Sequence, residues 1–153
     1  LTPDQARDIA ERLVDQARQV GATAADAMLA ADSSSSVSVR LGELEDVSRS
    51  EGQEIGLRVF DGQRSATVAS SDLSPEALTE LVQRAVAMAR EAPEDAYAGL
   101  APSELLLRAA APDLDAFDPA EPSPADLRAR ALAAEVAARA VPGRLVIGVD
   151  VDQ

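Results

Sequence analysis

Residues 55–74 read IGLRVFDGQRSATVASSDLS, and the spacing of their apolar side chains leaves few folds open. Ile55, Leu57 and Val59 alternate with more polar neighbours, the period-2 pattern of a strand with one buried face. Ala66 and Val68 repeat it after Asp61-Gly62, a two-residue hairpin signal, because a type I′ turn needs positive φ at both central positions. A turn centred there pairs Val59 with Arg64, Leu57 with Ala66 and Ile55 with Val68, so both apolar pairs share a face. Ser74-Pro75 then starts a helix, with Leu73 and Leu78 spaced as a hydrophobic staple across the cap. Its stripe is Leu78, Leu81, Val82, Ala85, Val86 and Ala89, now at helical period.

Upstream, Thr2-Pro3-Asp4-Gln5 combines a cap, a first-turn proline and a capping-box Gln. The stripe Ala6, Ile9, Ala10, Leu13, Val14, Ala17 and Val20 follows, and Gly21 stops the helix as a C′ glycine does. Residues 26–31 predict a strand. SVSVRL (36–41) predicts another, with Val37, Val39 and Leu41 on one face. Gly42 marks a turn or bulge, and 44–50 reads as a more polar strand. Together these predict an α+β fold: a mostly antiparallel sheet of about five strands with amphipathic helices on one face.

The texture changes after residue 91. Seven of the nine prolines lie at or after Pro93, interleaved with acidic residues, and so long a connection is unusual inside a compact domain. Ser123-Pro124 caps a third, Ala-rich helix ending near Pro142-Gly143, before a β-like run, RLVIGVDVDQ. The expected organisation is an α+β domain over 1–91 and a Pro-rich acidic connector over 92–122. Residues 123–153 then supply a helix and the start of a following domain, cut short inside a strand. Leu1 in place of Met suggests trimming or an upstream start.

Composition narrows the function classes. Apolar residues make up 46% but aromatics only 2%; an Ala/Val/Leu core packs closely yet buries less area per residue than an aromatic one, which predicts modest stability. With 14 basic and 27 acidic residues the formal charge is −13. Such a field repels polyanions, which argues against direct nucleic-acid binding and against docking on an anionic membrane. There is no cysteine, hence no disulfide or thiolate site, as in a cytoplasmic protein. No signal-peptide pattern opens the chain, and no run approaches a membrane span.

There is also no histidine and no lysine. Ordinary zinc sites and Ser-His or Cys-His pairs are therefore excluded. Asp150 and Asp152 share one strand face, and Glu43, Glu45 and Asp46 cluster near a turn. Neither group has calcium-loop spacing, and solvated surface charge is the better reading. Asp32 with 33–36 offers hydroxyls without a base. Arg40, Arg49, Arg58 and Arg64 project from strands and could meet a peptide carboxylate, though cross-strand pairing with Glu and Asp is favoured. No catalytic, cofactor or metal residue is assigned.

The ordered string from GATAADAMLAADSSSSVSVRLGELEDVSRSEGQEIGLRVFDGQRSATVASSDLSPEALTELVQRAVAMAR through APEDAYAGLA (92–101) resembles the first domain of the TldD/PmbA metallopeptidase family, its PmbA/TldE branch in particular. The resemblance runs from Thr2 to about Gly143, and the final RLVIGVDVDQ departs from it. It implies a longer, cytoplasmic bacterial protein, a subunit that pairs with a TldD-like partner. That partner carries zinc in an HExxxH motif, which the PmbA/TldE subunit lacks. The implied complex cleaves unfolded peptides, including microcin precursors and an antitoxin; an older family label is modulator of DNA gyrase. On this reading the chain is a non-catalytic scaffold domain with no cofactor of its own. A free-standing acidic interaction module with no protease connection is the alternative.

Overall fold

The computed structural model describes residues 1–110, 112–116, 118–143 and 148–152. Its elements are α1 (Pro3–Gln19), β1 (Ala24–Arg40), β2 (Glu43–Asp61), β3 (Arg64–Ser70), α2 (Pro75–Glu91), α3 (Pro124–Arg139) and β4 (Val149–Asp152), with one 3-10 turn at Ser103–Leu105. The strands form a single antiparallel sheet in the order β3-β2-β1-β4. The class is the α+β arrangement that the periodicities predict. The sheet has four strands because β1 and β2 each run unbroken through polar stretches that side-chain pattern alone divides. The serines at 33–36 show no apolar alternation, yet their backbone groups pair across the ladder whatever the side chains are. Among the described residues no helix is long and apolar enough to cross a membrane.

The chain forms two compact units: Leu1–Ala31 with Gly52–Ala111, and Asp32–Glu51 with Pro112–Gln153. In the first, α1 opens with the expected capping box, Gln5 N–H donating to Thr2 Oγ1 at 3.2 Å and Thr2 N–H to Gln5 Oε1 at 2.9 Å. It ends in a Schellman motif: Ala22 N–H reaches Ala17 O at 3.0 Å, Gly21 N–H reaches Arg18 O at 3.1 Å, and Gly21 has φ 108°. Arg90 at the end of α2 donates to Val20 O at 3.2 Å, placing a cation on the C-terminal dipole of α1. The core joins Leu13 and Ala17 of α1, Ile55, Leu57 and Val59 of β2, and Leu81, Val82, Ala85 and Val86 of α2. Leu73 and Leu78 pack against it as the staple predicts.

The β2–β3 register corrects the expected one. Val59 pairs with Ala66, Leu57 with Val68, Ile55 with Ser70 and Asp61 with Arg64. The turn residues are therefore Gly62 and Gln63, and only Gly62 has positive φ, at 62°. That is the type II′ pattern, glycine at the first central position, rather than type I′. Thr23 accounts for the extra strand length. Its N–H donates to Phe60 O at 2.8 Å, and its Oγ1 accepts from Gly62 N–H at 3.0 Å. The slip is even, so it leaves the inward face unchanged, and Ile55, Leu57 and Val59 are fully buried. Phe60 is buried as well, with the Arg58 guanidinium 5.3 Å from its ring centre.

The second unit has a smaller core: Val37 and Val39 of β1 against Leu127 and Ala131 of α3, with Leu132, Val149 and Val151 packed around them. β4 pairs with β1 from Ser36↔Asp152 to Val39↔Val149. The remainder of the expected β-like run, 144–147 and 153, lies outside the described residues. Leu41 does not join Val37 and Val39. It stands 60% exposed in the β1–β2 turn with φ 52°, followed by Gly42 at φ 85°.

Candidate functional site

The residues that carry chemistry in the second unit lie on β1, β2 and α3. Leu127, Ala131 and Glu135 are four apart along α3 and share its buried stripe, so Glu135 is driven inward at 1% exposure. Its Oε2 accepts a 2.8 Å hydrogen bond from Gly42 N–H and so ties the turn to α3. Among the described residues Oε1 has no hydrogen-bond partner, and the Arg139 guanidinium lies 3.9 Å away. A buried carboxylate with one satisfied oxygen is a costly feature. A Glu at a core position of the stripe is the signal that would have exposed it in the sequence.

Around the N-terminal end of α3, Ser33, Val37, Val47, Ser48, Arg49 and Leu127 help to line a cavity of about 280 Å³. Ser36 and Ser48 hydroxyls meet at 2.8 Å across β1 and β2. α3 itself is fixed by a capping box. The Ser123 hydroxyl and N–H donate to Asp126 Oδ2 at 2.6 and 2.9 Å and hold that carboxyl below the ordinary range. Its walls mix serine hydroxyls, the apolar Val37, Val47 and Leu127, and the carboxylates of Asp118 and Glu121.

The charged residues singled out in the sequence are dispersed into pairs. Arg40 meets Glu45 at 2.7 Å and Arg58 meets Asp26 at 2.5 Å, both across β1 and β2. Asp26 also holds the Arg58 guanidinium above its ordinary pKa, chiefly through that hydrogen bond. Arg49 pairs along its own strand with Glu51 at 2.8 Å, and Arg64 reaches Glu94 at 3.3 Å and Arg90 O at 2.8 Å. Exposed pairs of this kind add little stability but fix side-chain direction. Asp150 accepts from the Ser38 hydroxyl. Asp32 stands in the middle of the unbroken strand β1, and Asp152 pairs with Ser36 in the ladder. Among the described residues no three acidic, His or Cys side chains converge to hold a metal.

One backbone feature stands out. β3 pairs with β2 only at Ile55 and beyond. Among the described residues no strand pairs with the outer edge of β2 over 43–51, where every side chain is exposed.

Comparison with known proteins places this geometry. Residues 25–89 match the family model for PmbA/TldA metallopeptidase domain 1. Metalloprotease PmbA of Escherichia coli O157:H7 is 44% identical over 105 residues, 69% of this chain and 22% of that protein. A metalloprotease PmbA homolog of Haemophilus influenzae is 34% identical over 133 residues, 87% of this chain and 29% of that protein. The chain thus spans under a third of the length of these curated relatives. In fold, it resembles a Bacteroides thetaiotaomicron protein described as a modulator of DNA gyrase, with TM-score 0.84, 20% identity, and coverage of 99% of this chain and 35% of that one. It also resembles TldE from Thermococcus kodakarensis, with TM-score 0.54, 20% identity, and coverage of 61% and 21%. The chain belongs to the PmbA/TldD metallopeptidase family, as an N-terminal domain of its PmbA/TldE branch.

Proposed function

We propose that this chain is a non-catalytic scaffold domain of a PmbA/TldE-like subunit, within a cytoplasmic TldD–TldE-type metalloprotease complex that processes unfolded peptides. The observation that carries the reading is the pairing of PmbA membership with 153 residues that contain neither histidine nor cysteine. A zincin-type site needs two His on one helix face and a Glu general base, which these residues do not supply; the reading assigns hydrolysis to a TldD-like partner, as the family resemblance implies. What this chain contributes is wall and contact surface: a small polar and apolar cavity, a strand edge and a strongly acidic field. The −13 charge makes any link to gyrase or DNA indirect.

The test is reconstitution. The purified protein, mixed with a TldD-like subunit from the same genome, should co-elute with it in size-exclusion chromatography, and the mixture should digest an unfolded peptide that the partner alone cleaves poorly. Failure to co-elute, with cleavage by the partner unaffected, would favour a free-standing interaction module and remove the scaffold reading.

A further inference from the structure

We propose that the cavity of about 280 Å³ in the second unit binds a small aliphatic amine, its ammonium group held by Asp118 and Glu121 and its alkyl chain laid on Val37, Val47 and Leu127. The proposal stands apart from the scaffold reading, since its ligand is a free small molecule rather than a peptide or a partner subunit.

The floor of the cavity is apolar and fixed. Val37 and Leu127 are each 1% exposed and belong to the core that α3 makes with β1, so packing sets their positions with or without a ligand. Val47 beside them is 49% exposed, apolar surface that an alkyl chain would cover. The volume lies near the lower end of small-ligand sites, which limits the occupant to a short chain. Above this floor the walls are polar. The Ser36 and Ser48 hydroxyls, 2.8 Å apart, bond each other and still keep lone pairs that can accept from an ammonium group. A further wall comes from 118–124, DPAEPSP, where prolines at 119, 122 and 124 fix φ near about −65°. Asp118 is also held in place, its Oδ1 accepting from Ala120 N–H at 2.9 Å. Walls so constrained lose little freedom when a ligand arrives.

Charge selects the occupant. The cationic side chain of the lining, Arg49, is taken up by Glu51 at 2.8 Å. Asp118 and Glu121 have no ion-pair partner among the described residues. Two uncompensated carboxylates over an apolar floor complement an ammonium group on an alkyl chain, and they repel an anion, as does the formal charge of −13. A bare divalent ion fits poorly. Calcium takes six or more oxygen ligands, and among the described residues no three acidic side chains converge.

Methyl NMR titration of the full-length protein tests the site with four probes: cadaverine, methylamine, which lacks the chain, the diol of cadaverine's length, which lacks the charge, and glutarate, which reverses it. Cadaverine should shift the methyl signals of Val37, Val47 and Leu127 saturably. Methylamine should bind about tenfold or more weakly, and the diol and glutarate should leave these signals unmoved. Asp118→Asn with Glu121→Gln should weaken cadaverine about tenfold. The thermal midpoint should hold, because both side chains are exposed and the amide at 118 keeps an acceptor for Ala120 N–H. Glu11→Gln with Asp15→Asn on α1 removes the same charge from the first unit and should leave the affinity unchanged. Absence of saturable shifts, or equal shifts from the diol or glutarate, overturns the amine site. Equal affinity for methylamine overturns the apolar seat. Equal weakening by the two double variants would show attraction by overall charge and overturn the assignment to Asp118 and Glu121.

Discussion

The two units use the same ingredients, a helix laid on antiparallel strands, but they differ in what they bury. In the first, α1 and α2 close over Ile55, Leu57 and Val59, and among the described residues no buried side chain is charged. In the second, α3 covers Val37 and Val39 with a stripe that ends in Glu135, and β2 exposes every side chain from 43 to 51. The first is built like a foundation, the second like a surface kept available. Burial stabilises in proportion to the apolar area removed from water, so stability and accessibility are divided between the two units.

That contrast can be broken. The largest effect should come from Leu57→Ala, which empties a fully buried site in the larger core and should cost about 3–5 kcal/mol in denaturant unfolding; Leu127→Ala in the smaller core should cost about 2–3 kcal/mol. Equal losses would erase the difference between the cores. Next is Glu135→Ala, which leaves the Gly42 N–H without its acceptor and should cost about 1–3 kcal/mol. Glu135→Gln keeps an acceptor oxygen and should recover most of that; if Gln is as damaging as Ala, the carboxylate acts through something other than this hydrogen bond.

The turns should respond with opposite signs. Gly62→Val forces a β-branched residue into φ 62° and should destabilise by about 1–3 kcal/mol. Leu41 already sits at positive φ, and Leu41→Asn, better tolerated there, should stabilise by up to about 1 kcal/mol. A destabilised Leu41→Asn would mean that the Leu41 side chain makes contacts the turn depends on. The smallest effect concerns acid. The Ser123 hydroxyl and N–H depress the Asp126 carboxyl, and backbone and hydroxyl contacts of Ser74 depress that of Asp72. A depressed folded pKa stabilises above the unfolded value and is lost as pH falls through the folded one. Far-ultraviolet circular dichroism should therefore register fraying of α3 only below the usual carboxylate range, and Asp126→Asn should flatten that limb. Unaltered acid behaviour in Asp126→Asn would show that the cap is not what titrates.

What could be read from the sequence follows the same division. The helices of the first unit announce themselves through Thr2, Gly21, Ser74 and evenly spaced apolar stripes, because caps and periodicity are local. The inward face of β2 was legible for the same reason. The hairpin register was not, since Thr23, far away in sequence, ties the turn one position further along. The linking stretches, 32–35 of β1 and 51–53 of β2, are polar, so hydrophobic pattern could not join 26–31 to 36–41 or 44–50 to 54–60. Only the backbone ladder does so. The cavity brings together residues from 33 to 127, and no local spacing encodes it.

Whether this chain shapes a peptide-processing complex without catalysing in it is tested most directly by assaying the purified protein for zinc and for digestion of unfolded casein, alone and with a TldD-like subunit. Alone it should carry no stoichiometric zinc and leave casein intact, and cleavage should appear only when the partner is added. Stoichiometric zinc with chelator-sensitive cleavage by the protein alone would contradict the scaffold role.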